Sequence, residues 1–190
     1  MLAAAGELFV ERGYGATTQQ EIADRAGVAL QTIYYTFGNK KRLLKELVDT
    51  SVAGDDEPVP IMDRPWFREV LAADTAEAML GAHVAEMRQT LQRVAPIMEM
   101  LRIAASTDLD IGEMWPHEGN PRHQVQSVVA QAFVSTPGAR ADLTVEHVAD
   151  VLFGLLSPQM YLLFTRDRSW SPEGWEHWVR DTLLAQLCRA

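Results

Sequence analysis

Apolar residues recur along this chain at helical spacing, three and four positions apart, and no segment sustains the period-2 alternation of a half-buried strand. Over about 2–11, Leu2, Ala5, Leu8 and Phe9 share a face, and Gly13 ends the run. Short helices are predicted over about 18–25 and 29–36, and a longer one over about 40–52 with Leu43, Leu44, Leu47 and Val48 inward. Gly54-Asp55-Asp56-Glu57-Pro58-Val59-Pro60 is the clearest break, because glycine, proline and clustered carboxylates all oppose helix. Beyond it Met79, Leu80, His83, Val84, Met87, Leu91 and Val94 form a stripe expected to stop at Pro96. A separate helix is expected over about 96–106, a loop over 106–122, and a helix through Val125, Val128, Val129, Ala132 and Phe133. Residues 145–164 are apolar on nearly every side, with a kink expected at Pro158, and the last helix repeats the pattern through Trp175, Trp178, Val179, Leu183 and Leu187. The fold class is all-α.

The first part of the chain carries the most specific local signals. Thr18-Gln19-Gln20-Glu21 reads as a capping box, with Thr18 accepting the Glu21 amide while the Glu21 side chain reaches back. Ile22, Ala23 and Ala26 make the inner face of that helix, and Gly27 suits the left-handed residue that ends it. Val28 anchors the turn, and Ile33 is the inner residue of the next helix. Two short helices joined by a tight glycine turn are the helix-turn-helix shape, whose second helix fits the major groove of DNA.

The residues that follow sharpen this. Tyr34-Tyr35-Thr36-Phe37-Gly38-Asn39-Lys40-Lys41-Arg42-Leu43 resembles the signature of the TetR family, paired aromatics ahead of Phe-x-x-Lys-x-x-Leu. Upstream, Ala4-Ala5, Leu8-Phe9, Gly13-Tyr14, Thr17-Thr18, Glu21-Ile22-Ala23 and Ala26-Gly27-Val28 are similar to the same family, so the resemblance covers about residues 1–48. It implies a helix-turn-helix DNA-binding domain over 1–48 and a larger helical effector-binding and dimerisation domain over 49–190. Thr18, at a helix N-terminus, is a candidate phosphate donor; Leu30, Gln31 and Thr32 are candidates for base edges, Gln31 for adenine and Leu30 for a thymine methyl. The resemblance makes Tyr34 and Tyr35 backbone-contacting tyrosines and Lys40 a phosphate-pairing lysine. Ala29 stands where the family often has a serine or threonine cap, and Thr36, also assigned to the DNA face, replaces a frequent histidine. The basic arm that often precedes the first helix is not in the sequence.

A net charge of −9 argues against nucleic acid until its distribution is considered. Residues 1–48 hold six basic and five acidic side chains, a net +1, with Lys40, Lys41, Arg42 and Lys45 clustered. The other 142 residues carry 11 basic and 21 acidic groups, a net −10, so the acidity belongs to the larger segment. No secretory signal is expected, no stretch approaching the roughly 20 apolar residues of a membrane span is read, and the single Cys188 suits a reducing cytoplasm.

In the larger segment, methionines and aromatics are candidates to line an adaptable effector site: Trp66, Met79, Met87, Met98, Leu101, Trp115, Phe133, Phe153 and Met160. His83, within the apolar stripe of its helix, is either the polar group that orients a ligand or a satisfied core histidine. Leu152, Leu155, Leu156, Trp175, Trp178, Val179 and Leu183 are the expected interface of a two-fold homodimer. No phosphate loop, nucleophile elbow or H-E-x-x-H is present, and His117, Glu118 and His123 match no compact metal-ligand spacing. No cofactor, metal or enzymatic activity is therefore expected. Two functional readings stand: a repressor released from a near-palindromic operator by a small hydrophobic or amphipathic effector, and a DNA-bound dimer of the same fold controlled by a protein partner or by no effector.

Overall fold

A computed structural model of the protein describes residues 1–54, 59–113 and 120–189. The chain packs as two compact units, Met1–Asp56 with Arg93–Pro116, and Glu57–Gln92 with His117–Ala190. The division expected at residue 48 does not coincide with these units.

The first unit contains α1 (Leu2–Arg12), α2 (Gln19–Ala26), α3 (Leu30–Phe37) and α4 (Lys40–Ala53). Leu8, Phe9, Ile22, Ile33, Leu43 and Leu44 are its fully buried centre. Ile97, Met100 and Leu101 complete the same core, and they come from α6 (Ala76–Ala105). The stop expected at Pro96, and the separate helix after it, are corrected: α6 runs through Pro96 without interruption. Proline there forfeits the bond to the Gln92 carbonyl and costs about 3 kcal/mol in a free helix. Burial of Leu91, Val94 and Ala95 before it, and of Ile97, Met100 and Leu101 after it, offsets that cost. The loop expected over 106–122 contains a short helix, α7 (Leu109–Gly112), whose N-cap Asp108 accepts from the Ile111 amide at 3.3 Å. Ile111 is buried in the head core and holds this segment there.

The second unit holds α5 (Pro65–Leu71), α6 as far as Gln92, α8 (Pro121–Phe133), α9 (Val145–Leu155), α10 (Pro158–Leu162), a π turn over Leu163–Asp167, and α11 (Pro172–Leu187). The apolar run after 145 is not one kinked helix. Ser157 caps α10 by accepting the Met160 amide at 3.1 Å, and Pro158 occupies the first helical turn, where its missing N–H costs nothing.

Two expectations about this run are corrected. By length and composition Val145–Asp167 is apolar enough to cross a membrane, contrary to the sequence reading. Its Val148, Ala149, Leu152, Leu156, Tyr161 and Leu162 are instead buried within the chain. Likewise Leu152, Leu156, Trp175, Val179 and Leu183, assigned to a dimer interface, are fully buried inside a single copy. Trp175 stacks edge-on against Tyr161 with centroids 5.0 Å apart. Of that set, Leu155 and Trp178 keep part of their surface in solvent.

Candidate nucleic-acid interface

The reading head is organised by its helix ends. Thr18 begins α2 through a complete capping box: its Oγ1 accepts the Glu21 amide at 3.2 Å, and its own amide donates to Glu21 Oε2 at 2.8 Å. These bonds hold the exposed Glu21 carboxyl below its ordinary range, the backbone bond from Thr18 contributing most. The Thr18 hydroxyl also donates to Glu21 Oε2 at 2.8 Å, so donating to a phosphate requires it to leave that partner. Gly27 ends α2 at φ 66° and ψ 32°, and the Val28 amide behind it returns to the Ala23 carbonyl at 3.0 Å. Thr17, to which the sequence assigns no role, is fully buried and ties the preceding loop to the Leu8 and Gly13 carbonyls at 3.2 and 2.9 Å. No local signal marks it, because both acceptors lie on the far side of a turn.

From this platform α3 presents one face inward and one outward. Ile33 and Phe37 are buried, while Gln31, Thr32, Tyr34, Tyr35 and Thr36 face solvent. Tyr35 is 95% exposed, so its ring packs against nothing in the chain. Leu30 is half-buried and packs on the head core, which leaves only part of it for a thymine methyl. The Thr36 hydroxyl donates to the Thr32 carbonyl at 2.8 Å and does not stand in for a free histidine donor. At the start of α3, Ala29 has the extended geometry of a cap, φ −69° and ψ 146°, but no side chain that closes it. Ala29→Ser is expected to raise stability by about 0.5–1 kcal/mol, read as a higher urea midpoint with unchanged slope.

Lys40 is placed differently from the role implied by resemblance. Its ammonium donates to the Tyr14 and Thr17 carbonyls, both at 2.9 Å, and lies 4.3 Å from the Tyr14 ring centroid. Burial lowers its pKa, and the Asp108 charge opposes that shift. Lys40 therefore clamps α4 to the loop between α1 and α2, two of its three N–H donors being taken by carbonyls of its own chain. Lys40→Met is expected to cost about 1–2 kcal/mol of stability by leaving two carbonyls without their charged donor, measured by urea denaturation. Among the other cations, Arg12 pairs with Glu21, Arg25 with Glu7 and Glu11, and Lys45 with Asp49. Lys41 and Arg42 make no ion pair among the described residues. They sit in the first turn of α4, which Asn39 caps by accepting the Arg42 amide at 2.8 Å. The first turn of α4 thus holds backbone amides and two cations that make no ion pair among the described residues, an arrangement that suits an anion.

The candidate effector residues do not form one group. Met79, His83, Met87 and Phe133 are buried in the second unit, where Trp66, Phe153 and Met160 are half-buried. Met98 and Leu101 belong to the core of the first unit, which corrects their assignment. Trp115, like His117 and Glu118, lies outside the described residues. His123 is 3.4 Å from Asp150, and among the described residues no group of three or more His, Cys, Asp or Glu could hold a metal.

A capped helix, a left-handed glycine turn and a second helix with an open outer face define a helix-turn-helix DNA-binding module. Residues 1–47 match the family of bacterial regulatory proteins, tetR family. A transcriptional activator, FasR of Mycolicibacterium smegmatis, is 47% identical over 58 residues, 28% of this chain and 26% of its own. The transcriptional repressor Rv3405c of Mycobacterium tuberculosis is 30% identical over 116 residues, 57% of this chain and 61% of its own. The chain thus matches less than two thirds of the length of these relatives. A putative regulator from Saccharomonospora viridis, solved with choline, superposes with a TM-score of 0.74 at 18% identity, over 100% of this chain and 96% of that one. FadR of Bacillus subtilis, solved with stearoyl-CoA, gives 0.67 at 19% identity, over 96% and 95%. FasR and Rv3405c are both helix-turn-helix regulators of transcription.

Proposed function

We propose that the protein is a DNA-binding transcriptional regulator of the repressor type, acting in the cytoplasm and released from a near-palindromic operator by a small apolar or amphipathic effector. The observation that carries this reading is the outer face of α3, where Tyr35 stands 95% exposed on a helix whose other side is locked by Ile33 and Phe37. An aromatic ring with no packing role in its own chain is explained by a partner that covers it. Gln31 and Thr32 read base edges, Tyr34 and Tyr35 hold the backbone, and Lys41 with Arg42 neutralises phosphates. Residues 1–48 act as the reading domain and residues 49–190 as the effector-binding and dimerising domain.

The working form is a homodimer whose heads lie about 34–36 Å apart, one turn of duplex. The second copy covers solvent-facing apolar residues of the second unit, among them Leu155, Leu163, Trp170 and Trp178. α6 carries His83 in one unit and Ile97, Met100 and Leu101 in the core of the other, so it is the covalent route by which an effector biases the heads. DNA and effector must then weaken each other's binding equally.

Selection from a random DNA pool, followed by fluorescence anisotropy across a salt series, tests the reading. An enriched palindrome bound by a dimer is expected. No enrichment above bulk DNA overturns it, and an enriched operator that no small molecule releases favours control by a protein partner.

A further inference from the structure

His83 from α6 and Gln126 from α8 meet inside the second unit, His83 Nε2 lying 2.8 Å from Gln126 Oε1. Neither side chain has any exposed surface. The bond joins two of the pair's four polar side-chain atoms, and the other two, His83 Nδ1 and Gln126 Nε2, have no partner among the described residues. The chemistry of those two atoms follows from the one bond they leave over. Gln126 Oε1 can only accept, so His83 Nε2 carries the ring proton, Nδ1 is an acceptor, and the amide nitrogen is a donor. Turning the amide over reverses both roles: Nδ1 then donates and the amide oxygen accepts. In either arrangement one of the two unpartnered atoms donates and the other accepts.

A group that answers both must itself donate and accept. A hydroxyl, an amide and an un-ionised carboxyl qualify; a carboxylate only accepts, and a quaternary ammonium does neither. The surroundings exclude charge for a second reason. One turn either side of His83, the α6 residues Met79, Leu80 and Met87 are buried and apolar, as are Val129 and Ala130 on α8. The cation one turn before Gln126, Arg122, directs its Nη1 to the Phe153 and Leu156 carbonyls at 2.9 and 3.3 Å. An ion brought beside the pair would lose its hydration without gaining a counter-charge. Burial also keeps His83 itself neutral, its pKa lowered to about 4.

We propose that His83 and Gln126 are the polar recognition point of the effector, and that the effector is an uncharged, apolar-bodied molecule docking a hydroxyl, amide or un-ionised carboxyl group on this pair. This rests on the effector-release reading above and narrows it chemically.

The test uses the full chain at neutral pH and four probes built on a straight eight-carbon chain that differ in head group: 1-octanol, octanamide, octanoate and octyltrimethylammonium. The two neutral probes are expected to raise the melting temperature and to shift the imidazole Nδ1 resonance of His83 in nitrogen NMR, while the two ions do neither. The double variant His83→Leu/Gln126→Leu, which removes both polar partners together, is expected to fold and to bind the neutral probes at least tenfold more weakly. Equal stabilisation by the ions, an undiminished response in a folded double variant, or no response to either neutral probe overturns the proposal. DNA release is followed in parallel. A neutral probe that binds the pair yet leaves the operator occupied defeats the release reading and leaves this site standing. Release of DNA by a ligand that the folded double variant still answers defeats the site and leaves the release reading.

Discussion

Tyr35→Ala lowers affinity for every DNA sequence about ten- to a hundredfold, the loss expected when one hydrogen bond to a charged phosphate disappears, and leaves the melting temperature near that of the wild type. The second half of the expectation follows from exposure. A side chain 95% open to solvent contributes nothing to the core, so its truncation acts on binding alone. Because tyrosine is uncharged, the salt slope is retained. Lys41→Ala and Arg42→Ala each reduce that slope by about 0.9, the share of one neutralised phosphate. Gln31→Ala behaves differently again, relaxing preference at one base pair while affinity for bulk DNA stays unchanged. Anisotropy titrations at several salt concentrations, on the selected operator and on a scrambled duplex, separate the three patterns. Unchanged operator affinity in the Tyr35 variant would remove α3 as the reading helix.

Acid destabilises the second unit through His83. Burial lowers its pKa from 6.5 to about 4, and the hydrogen bond to Gln126 only partly opposes this. In the unfolded chain the imidazole takes its proton near pH 6.5, whereas in the folded one it stays neutral to about pH 4. Within that window the unfolded state holds more protons, so stability falls as pH falls, by at most about 1.4 kcal/mol per pH unit. Above the window this residue contributes no pH dependence, and below it the loss levels off. Trp66, Trp170, Trp175 and Trp178 all lie in the second unit, so their fluorescence follows its urea unfolding. The difference between wild type and His83→Leu/Gln126→Leu isolates the histidine from every other titrating group. Identical slopes in the two proteins between pH 6.5 and 4 would show that His83 is not buried as a neutral ring.

The head was legible because its determinants are short-range. Thr18 and Glu21 are three residues apart and meet within one helical turn, and Gly27 takes up its left-handed conformation regardless of what packs around it. Outward and inward positions on α3 follow from its period, so Ile33 and Phe37 against Gln31 and Tyr35 could be assigned without coordinates. Lys40 could not. Its side chain bonds carbonyls 26 and 23 residues away in sequence, and a lysine at a helix start looks the same whether it faces phosphate or its own backbone. Asn39, by contrast, carried a readable cap signal that the sequence reading passed over.

The sequence alone determined the helical class, the order of elements in the head and the faces of its two key helices, since each depends on spacings of a few residues. Only the tertiary structure decided that α6 continues through Pro96, that Leu152, Trp175 and Leu183 are spent within one copy, and that His83 finds Gln126. Periodicity says that a side chain is apolar or that a proline opposes helix. It does not say which surface covers the first or how much burial outweighs the second, because both depend on residues brought together from distant parts of the chain.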